Sequence, residues 1–411
     1  MTDKTGQLQL ERINFNKGTY LTIEGTQQAK RFFIITAGNV HVSKESMAVI
    51  KERDVLGPGD LLGVISTMSS HGHIENALAM TDVSVLSVQK QQYSDVIRNN
   101  NSLAMKIVMQ FSKQMRYLDE ALTIRTLKQK TNEDLSHLFN VAEYYTSRQQ
   151  YNHAYFVYQQ YLKHCSDSDK VNLAKDRLME IGLYVDRSKI AYQNEGGNRI
   201  YPQNTMFFSE AEPGDELFII RKGSVKITKI IEQNEVLLAV LKEGDIFGEM
   251  ALLESKPRTA SAVAYEDCEV TVVSLENFKR IQAPELTTRI TTILADRVWL
   301  IYKQLTSTLL TDPVARMYDM LSIQLQKKRV DPESKEEYTF DFGPKELSNM
   351  VGLSPAEGIE TINKVFEEKA IRIVDDKIIC QSIADIFKIN TFHWNAYRRQ
   401  VKINKQRGKQ G

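Results

Sequence analysis

Cysteine is scarce. Cys165, Cys268 and Cys380 are the only three in 411 residues, and they lie too far apart in sequence for zinc-ligand spacing. That usage suits reduced thiols rather than a disulfide framework. Long apolar runs are missing too: none approaches the ~20 residues that a membrane span needs. Met1 to Gln7 is polar, unlike a secretory leader, so the expectation is a cytoplasmic chain with no membrane partner. Charge of one sign is not in excess, with 53 basic against 52 acidic residues, so no global field gathers nucleic acid or lipid. There is no metal-ligand set, nucleotide-triphosphate loop or nucleophile motif, and none of the seven histidines has a motif partner. His71 and His73 read as surface residues rather than ligands. Catalysis, a bound metal and a cofactor are therefore not expected. The length suits roughly two to four domains.

What is present concentrates in Phe247-Gly248-Glu249-Met250-Ala251-Leu252-Leu253 and, after a short gap, Pro257-Arg258-Thr259-Ala260-Ser261. Gly248 lets backbone approach a ligand closely. Glu249 to Leu253 has the composition of a short helix that Pro257 would stop. Arg258 offers a fork of donors suited to phosphate oxygens, and an ionised Glu249 accepts from a hydroxyl. A carboxylate beside an anion site suits a ribose phosphate. An exposed Glu and Arg on a β-rich domain is the plainer alternative.

Phe247 to Ala260 resembles, without a gap, the phosphate-binding cassette of the cyclic nucleotide-binding domain. That domain occurs in the catabolite activator (CRP/FNR) family and in cyclic-nucleotide-dependent kinases and channels. The resemblance implies that Glu249 accepts from the ribose 2′-hydroxyl and that Arg258 pairs with the cyclic phosphate. N–H groups of Gly248, Met250, Ala251, Leu252 and Thr259 or Ala260 would complete the cradle. Thr259 is the family's tuning position and does not choose between cAMP and cGMP. A cyclic dinucleotide stays open, although one Arg–Glu pair fits one ribose phosphate better.

The first part of the chain repeats this layout. Phe33-Ile34-Ile35, Gly38, Val40 and Val42 match Phe218-Ile219-Ile220, Gly223, Val225 and Ile227 at a constant offset of 185. Carried through the cassette, that offset sets Val64 against Glu249, Gly72 against Pro257, His73 against Arg258 and Glu75 against Ala260. Valine accepts no hydroxyl, and Glu75 would repel a phosphate, so this copy reads as degenerate.

Between the copies, Ser102 to about Lys130 reads as one long helix. Leu138, Val141, Ala142, Tyr145, Ala154, Tyr158 and Tyr161, with a turn at Ser147 to Tyr151, resemble a tetratricopeptide helix pair. Packing against neighbours is the plain role for one repeat, with a protein partner on its tyrosines as the alternative. Gly196-Gly197 marks a hinge. After the second copy, Leu294, Val298, Ile301 and Leu305 form a seam at coiled-coil spacing, where the resemblance places a homodimer helix. Trp299 beside it could cap the purine, or simply pack in a core.

Asp312-Pro313 opens another helix, and Tyr338 to Phe342 reads as a strand. Pro344 to Ser354 resembles the family's winged helix-turn-helix, with Ile359, Ile362, Val365 and Phe366 as the next helix's buried face and a hairpin turning at Asp375-Asp376. Where the family has Arg-Glu-Thr after the turn serine, Ser354 is followed by Pro355-Ala356-Glu357-Gly358. The exposed face carries Glu357, Glu360, Glu367 and Glu368 against Lys364 and Lys369, with no Arg to read a base. Candidate DNA contacts are Lys345, Ser354 and Lys364, with Arg398 and Arg399 in a basic tail that continues through Lys402, Lys405, Arg407 and Lys409.

The expected fold class is α+β and multidomain: two β-roll cyclic nucleotide-binding domains, an α-helical insert and a C-terminal winged helix. The divisions expected are 1–130, 131–187, 188–311, 312–393 and 394–411. Two functions follow. One is a ligand-dependent transcriptional regulator acting as a homodimer on DNA. The other is a nucleotide-binding signalling adaptor that acts through proteins.

Overall fold

The computed structural model describes residues 10–25, 29–45, 54–98, 100–127, 134–165, 170–195, 198–231, 234–274, 276–277 and 284–407. The hinge pair Gly196-Gly197 and Lys409 lie outside them. The first β-roll runs β1 (Glu11–Phe15), β2 (Tyr20–Thr22), β3 (Arg31–Ala37), β4 (Val40–Ser43), β5 (Val55–Leu56), β6 (Leu61–Leu62), α1 (Val64–Ser69), β7 (Asn76–Ala79) and β8 (Val83–Gln89). Helices α2 (Tyr93–Arg98), α3 (Asn101–Leu127), α4 (His137–Ser147), α5 (Tyr151–His164) and α6 (Val171–Ile181) follow. The second roll has β9 (Gln193–Glu195), β10 (Asn198–Tyr201), β11 (Met206–Phe208), β12 (Glu216–Lys222), β13 (Val225–Ile231), β14 (Asn234–Leu241), β15 (Ile246–Phe247), α7 (Glu249–Glu254), β16 (Ser261–Ala264) and β17 (Cys268–Ser274). Then come α8 (Pro284–Ser307), α9 (Pro313–Lys327), β18 (Tyr338–Thr339), α10 (Pro344–Met350), α11 (Pro355–Glu367), β19 (Ile371–Val374), β20 (Lys377–Cys380) and α12 (Ile383–Arg407).

Period-two alternation builds both rolls. Phe33 and Ile35, Val40 and Val42, and Val83 and Val85 line the first core. Phe218 and Ile220, Ala262 and Ala264, and Cys268 and Val270 line the second. The sheets have orders β1-β8-β3-β6 and β2-β7-β4-β5 in the first roll, and β15-β12-β17-β10-β9 and β11-β16-β13-β14 in the second. Pairing registers repeat as well: Phe33 faces Leu62 as Phe218 faces Phe247, the same 185-residue offset.

The chain forms two compact units that do not follow sequence order. One groups the second roll and the insert with residues 91–120 and helix α8 as far as Ala295. Its insert core joins Leu138, Val141, Ala142, Val157 and Ala174 to Met206, Ala211 and Val263 of the roll. Tyr145, Tyr158 and Tyr161 are fully buried there. These three tyrosines are core, as the packing reading expects, and not the partner surface weighed as its alternative, because their rings fill the space between α4, α5 and the roll.

The other unit groups the first roll with residues 121–128 and 296–411. Asp312 caps α9 by accepting from Val314 N, with Pro313 in the first turn. Helices α9, α10 and α11 pack with sheet β18-β20-β19 around Tyr318, Leu321, Leu347, Val365 and Ile378. The β19–β20 hairpin turns at Asp375 and Asp376, both at positive φ. Three expectations change. The strand at Tyr338 stops at Thr339. Ile359 is 67% exposed, because the buried stripe of α11 runs Gly358, Thr361, Ile362, Val365 instead. The basic tail is not separate: α12 continues through Arg398, Arg399 and Lys402 to Arg407, and Trp394 packs on Leu310 and Ala315. Leu294, Val298 and Leu305 of the seam are fully buried within the single chain. Among the described residues no helix is long and apolar enough to cross a membrane.

Candidate functional site

The cassette of the second roll begins where β15 ends. Gly248 has φ 81°, and a Cβ there would stand 2.6 Å from Arg258 Nη1, so only glycine serves. Helix α7 follows and stops at Ser255, itself left-handed at φ 52°, two residues before Pro257. Glu249 is buried at its first position, 1% exposed. Ala251, Leu252 and Ala260 are buried, whereas Met250 and Thr259 are half-buried.

Arg258 turns inward and is 5% exposed. Its Nη1 donates to Gly248 O and its Nη2 to Glu216 O at 2.8 Å, while Nε has no hydrogen-bond partner. The ring of Phe208 lies 4.1 Å from the guanidinium carbon. On the backbone, Arg258 N donates to Glu212 O and Ala211 N to Arg258 O, each at 2.8 Å. Burial lowers the Arg258 pKa to about 10, opposed by the carboxylates of Glu212, Glu249, Glu216 and Asp215. The site is a desolvated cation ringed by carboxylates, with Nε the guanidinium nitrogen that has no acceptor.

Sequence reading missed Phe208, Glu212, Gly214 and Glu216. A Cβ on Gly214 would stand 2.2 Å from Arg258 Nε, so this glycine makes room for the guanidinium. The turn signal Pro213-Gly214-Asp215 is the cue by which it could have been found.

Burial raises the Glu212 pKa from 4.5 to about 7, with Arg258 opposing. A carboxyl with a raised folded pKa contributes stability that is fully present below about pH 4.5 and is lost as pH rises towards 7. Stability is expected to fall by on the order of 2–3 kcal/mol across that window. Glu24 in the first roll, also raised to about 7 by burial, adds a slope of the same sign. Urea melts at stepped pH check this, with Glu212→Gln flattening part of the slope and an unchanged slope excluding Glu212.

The family model of the cyclic nucleotide-binding domain matches residues 12–100 and 198–284. Each of the two rolls thus carries one match to the cyclic nucleotide-binding domain. The chain is 29% identical over 175 residues to a Mycobacterium tuberculosis CRP-like cAMP-activated global transcriptional regulator, covering 42% of this chain and 76% of that protein. It is 37% identical over 81 residues to the Thermus thermophilus cyclic AMP receptor protein, 20% of this chain and 38% of that one. A cAMP-dependent protein kinase regulatory subunit of Yarrowia lipolytica is 33% identical over 109 residues, 26% of this chain and 28% of that protein.

The matched stretch of the first roll keeps the backbone and fills the cassette from within. Gly63 takes φ 79° before α1, as Gly248 does before α7. Its N–H donates to Glu75 Oε1 at 2.9 Å, and Lys44 Nζ lies 3.7 Å from Glu75 Oε2. Glu75 thus bonds to the cassette N–H itself as well as repelling an outside anion. Val64 is buried at the position of Glu249.

His71 and His73 are not surface residues. Burial lowers the His73 pKa. His71 is 7% exposed, with its ring stacked on Trp299 at 3.7 Å and 15° and its Nε2 3.3 Å from Asp296. The structure therefore groups Trp299 with the first roll, against an imidazole, and not with Glu249 and Arg258.

The DNA candidates are spread through the C-terminal elements. Lys345 is exposed on α10. Ser354 caps α11 by accepting from Glu357 N at 3.4 Å, and its hydroxyl donates to Glu357 Oε2 at 2.6 Å. Lys364 donates to Glu360 at 2.6 Å. Arg398 donates to Glu45, from Nη2 at 2.7 Å, and lies over the Trp394 ring. Arg399 is exposed.

Proposed function

We propose that this chain is a cyclic mononucleotide sensor that takes cAMP or cGMP at the Glu249–Arg258 cassette of the second roll. The observation that carries this is Arg258, a guanidinium 5% exposed whose Nε lacks an acceptor. A cyclic phosphate supplies that acceptor and a countercharge, and Glu249 is the acceptor for the ribose hydroxyl. Gly248, Met250, Ala251, Leu252, Thr259 and Ala260 supply the surrounding backbone. Calorimetry on the full chain with each nucleotide tests the reading. One saturable site per chain is expected, and Val64→Ala should leave it unchanged; a chain that binds neither nucleotide ends the proposal.

The output we favour is ligand-dependent DNA binding by a cytoplasmic transcriptional regulator. The supports are helices α10 and α11 with the β18-β20-β19 sheet, read as a winged helix-turn-helix, and the CRP-like relatives. Lys345, Ser354, Lys364, Arg398 and Arg399 are the proposed contacts. A homodimer would need a surface other than the α8 seam, whose Leu294, Val298 and Leu305 are already buried. The adaptor reading has its own support: Ser354, Lys364 and Arg398 are engaged with carboxylates, and Ile359 is exposed on an acidic face. Gel shifts on random and selected duplexes across salt separate the two. Sequence-selective retention that rises with nucleotide is expected for the regulator. Retention that is equal on all duplexes and disappears with Arg399→Ala supports the adaptor.

A further inference from the structure

We infer that Arg116, on the helix that trails the first roll, is a positioning residue for nucleotide binding by the second; this rests on the sensor reading above. The contacts lie within one compact unit. Arg116 is 6% exposed. Its Nε lies 3.2 Å from Glu254 Oε2, and both Nη atoms donate to Pro257 O at 3.3 Å. Ser112, one turn earlier on α3, is fully buried and donates to Glu254 Oε1 at 3.0 Å. Glu254 is the last residue of α7, and Pro257 O belongs to the peptide that leads into Arg258. Helix α3 thus holds both ends of the segment from 254 to 257.

That segment has little to hold it otherwise. Helix α7 has six residues, too few to be stable alone, and Ser255 sits in the left-handed region. The roll fixes the far edge, through the backbone bonds of Arg258 to Ala211 and Glu212. Arg116 fixes the near edge. Its guanidinium geometry matters, because one fork must reach a carboxylate and a carbonyl together, which an ammonium cannot do in the same pose. A nucleotide phosphate drawing on Arg258 pulls against the peptide that Arg116 grips, so α3 senses the ligand through that carbonyl.

The other unit shows the reciprocal arrangement. Asp296, Trp299 and Tyr302, on the helix trailing the second roll, meet His71 and Glu24 of the first. Within each unit, therefore, a roll meets the helix that follows the other roll in sequence. The first roll, whose cassette holds its own carboxylate, contributes to the live site by lending a helix.

The test uses the full chain as wild type, Arg116→Ala and Arg116→Lys. Hydrogen exchange over residues 249–264 is followed without nucleotide, and cAMP and cGMP affinity by calorimetry. Arg116→Ala should speed exchange at 254–260 and weaken binding at least tenfold, with Arg116→Lys between it and wild type in both readouts. If the alanine variant fails to fold, the lysine variant carries the test, and wild-type affinity in it overturns the inference. Faster exchange with unchanged affinity reduces Arg116 to a structural contact and also overturns it. A wild-type chain that binds neither nucleotide removes the sensor reading and this inference together; wild-type binding matched by Arg116→Ala removes the inference alone.

Discussion

Replacing Arg258 with alanine is expected to weaken cAMP or cGMP binding roughly ten- to a hundred-fold, the range of a charge-assisted hydrogen bond of about 1.5–3 kcal/mol. The physical case rests on where the guanidinium sits. It is already out of water, stacked on Phe208 and bonded to two backbone carbonyls, so a phosphate meets a cation whose desolvation is complete. Arg258→Lys should recover only part of the loss, since an ammonium keeps the charge without the planar fork. Melting curves on the same variants separate binding from folding. Alanine leaves Gly248 O and Glu216 O without those donors, so a modest drop in stability accompanies the loss. Calorimetry that returns wild-type affinity for the alanine variant would remove Arg258 from the site.

The second large effect is expected at a residue with no chemistry of its own. Gly214→Val should weaken nucleotide binding about as much as Arg258→Ala does, roughly ten- to a hundred-fold. A Cβ at 214 would lie 2.2 to 2.5 Å from Arg258 Nε, Cζ and Nη2, nearer than any side chain tolerates. Gly214 is not at positive φ, so the backbone accepts a side chain and the nearest conflict is with the guanidinium. Phe208 already covers one of its faces. Arg258 must therefore leave its pose, at a stability cost of about 1–3 kcal/mol for overpacking. Calorimetry beside a thermal melt checks both halves. A folded Gly214→Val chain with normal affinity would mean that the observed pose of Arg258 is not the binding pose.

These two sites differ in how far the sequence exposes them. Arg258 stands in a contiguous run whose order of glycine, carboxylate, proline and arginine already spells an anion site. Gly214 lies far upstream in an ordinary turn, and nothing near it names its neighbour. The same contrast separates Val64 from Trp299. The 185-residue repeat set Val64 against Glu249, and the matching left-handed glycines carry that equivalence into space. Trp299 sits on a helical stripe, and a stripe says that one face is buried without saying against what. His71 is a similar case: a histidine in a polar stretch gives no hint of the indole it stacks on.

The sequence by itself determined the two rolls, their repeat, the helix starts at Pro313 and Pro344 and the cassette's order of residues. Each of these depends on alternation within a strand, on capping within one turn, or on φ at a single glycine, and such interactions span a few residues. Only the tertiary structure decided what each long helix rests on. Ser112 and Glu254 are 142 positions apart, and Arg116 and Pro257 141. A contact at that separation arises because apolar faces must be buried somewhere, and the packing of whole elements, not any local preference, selects the partner.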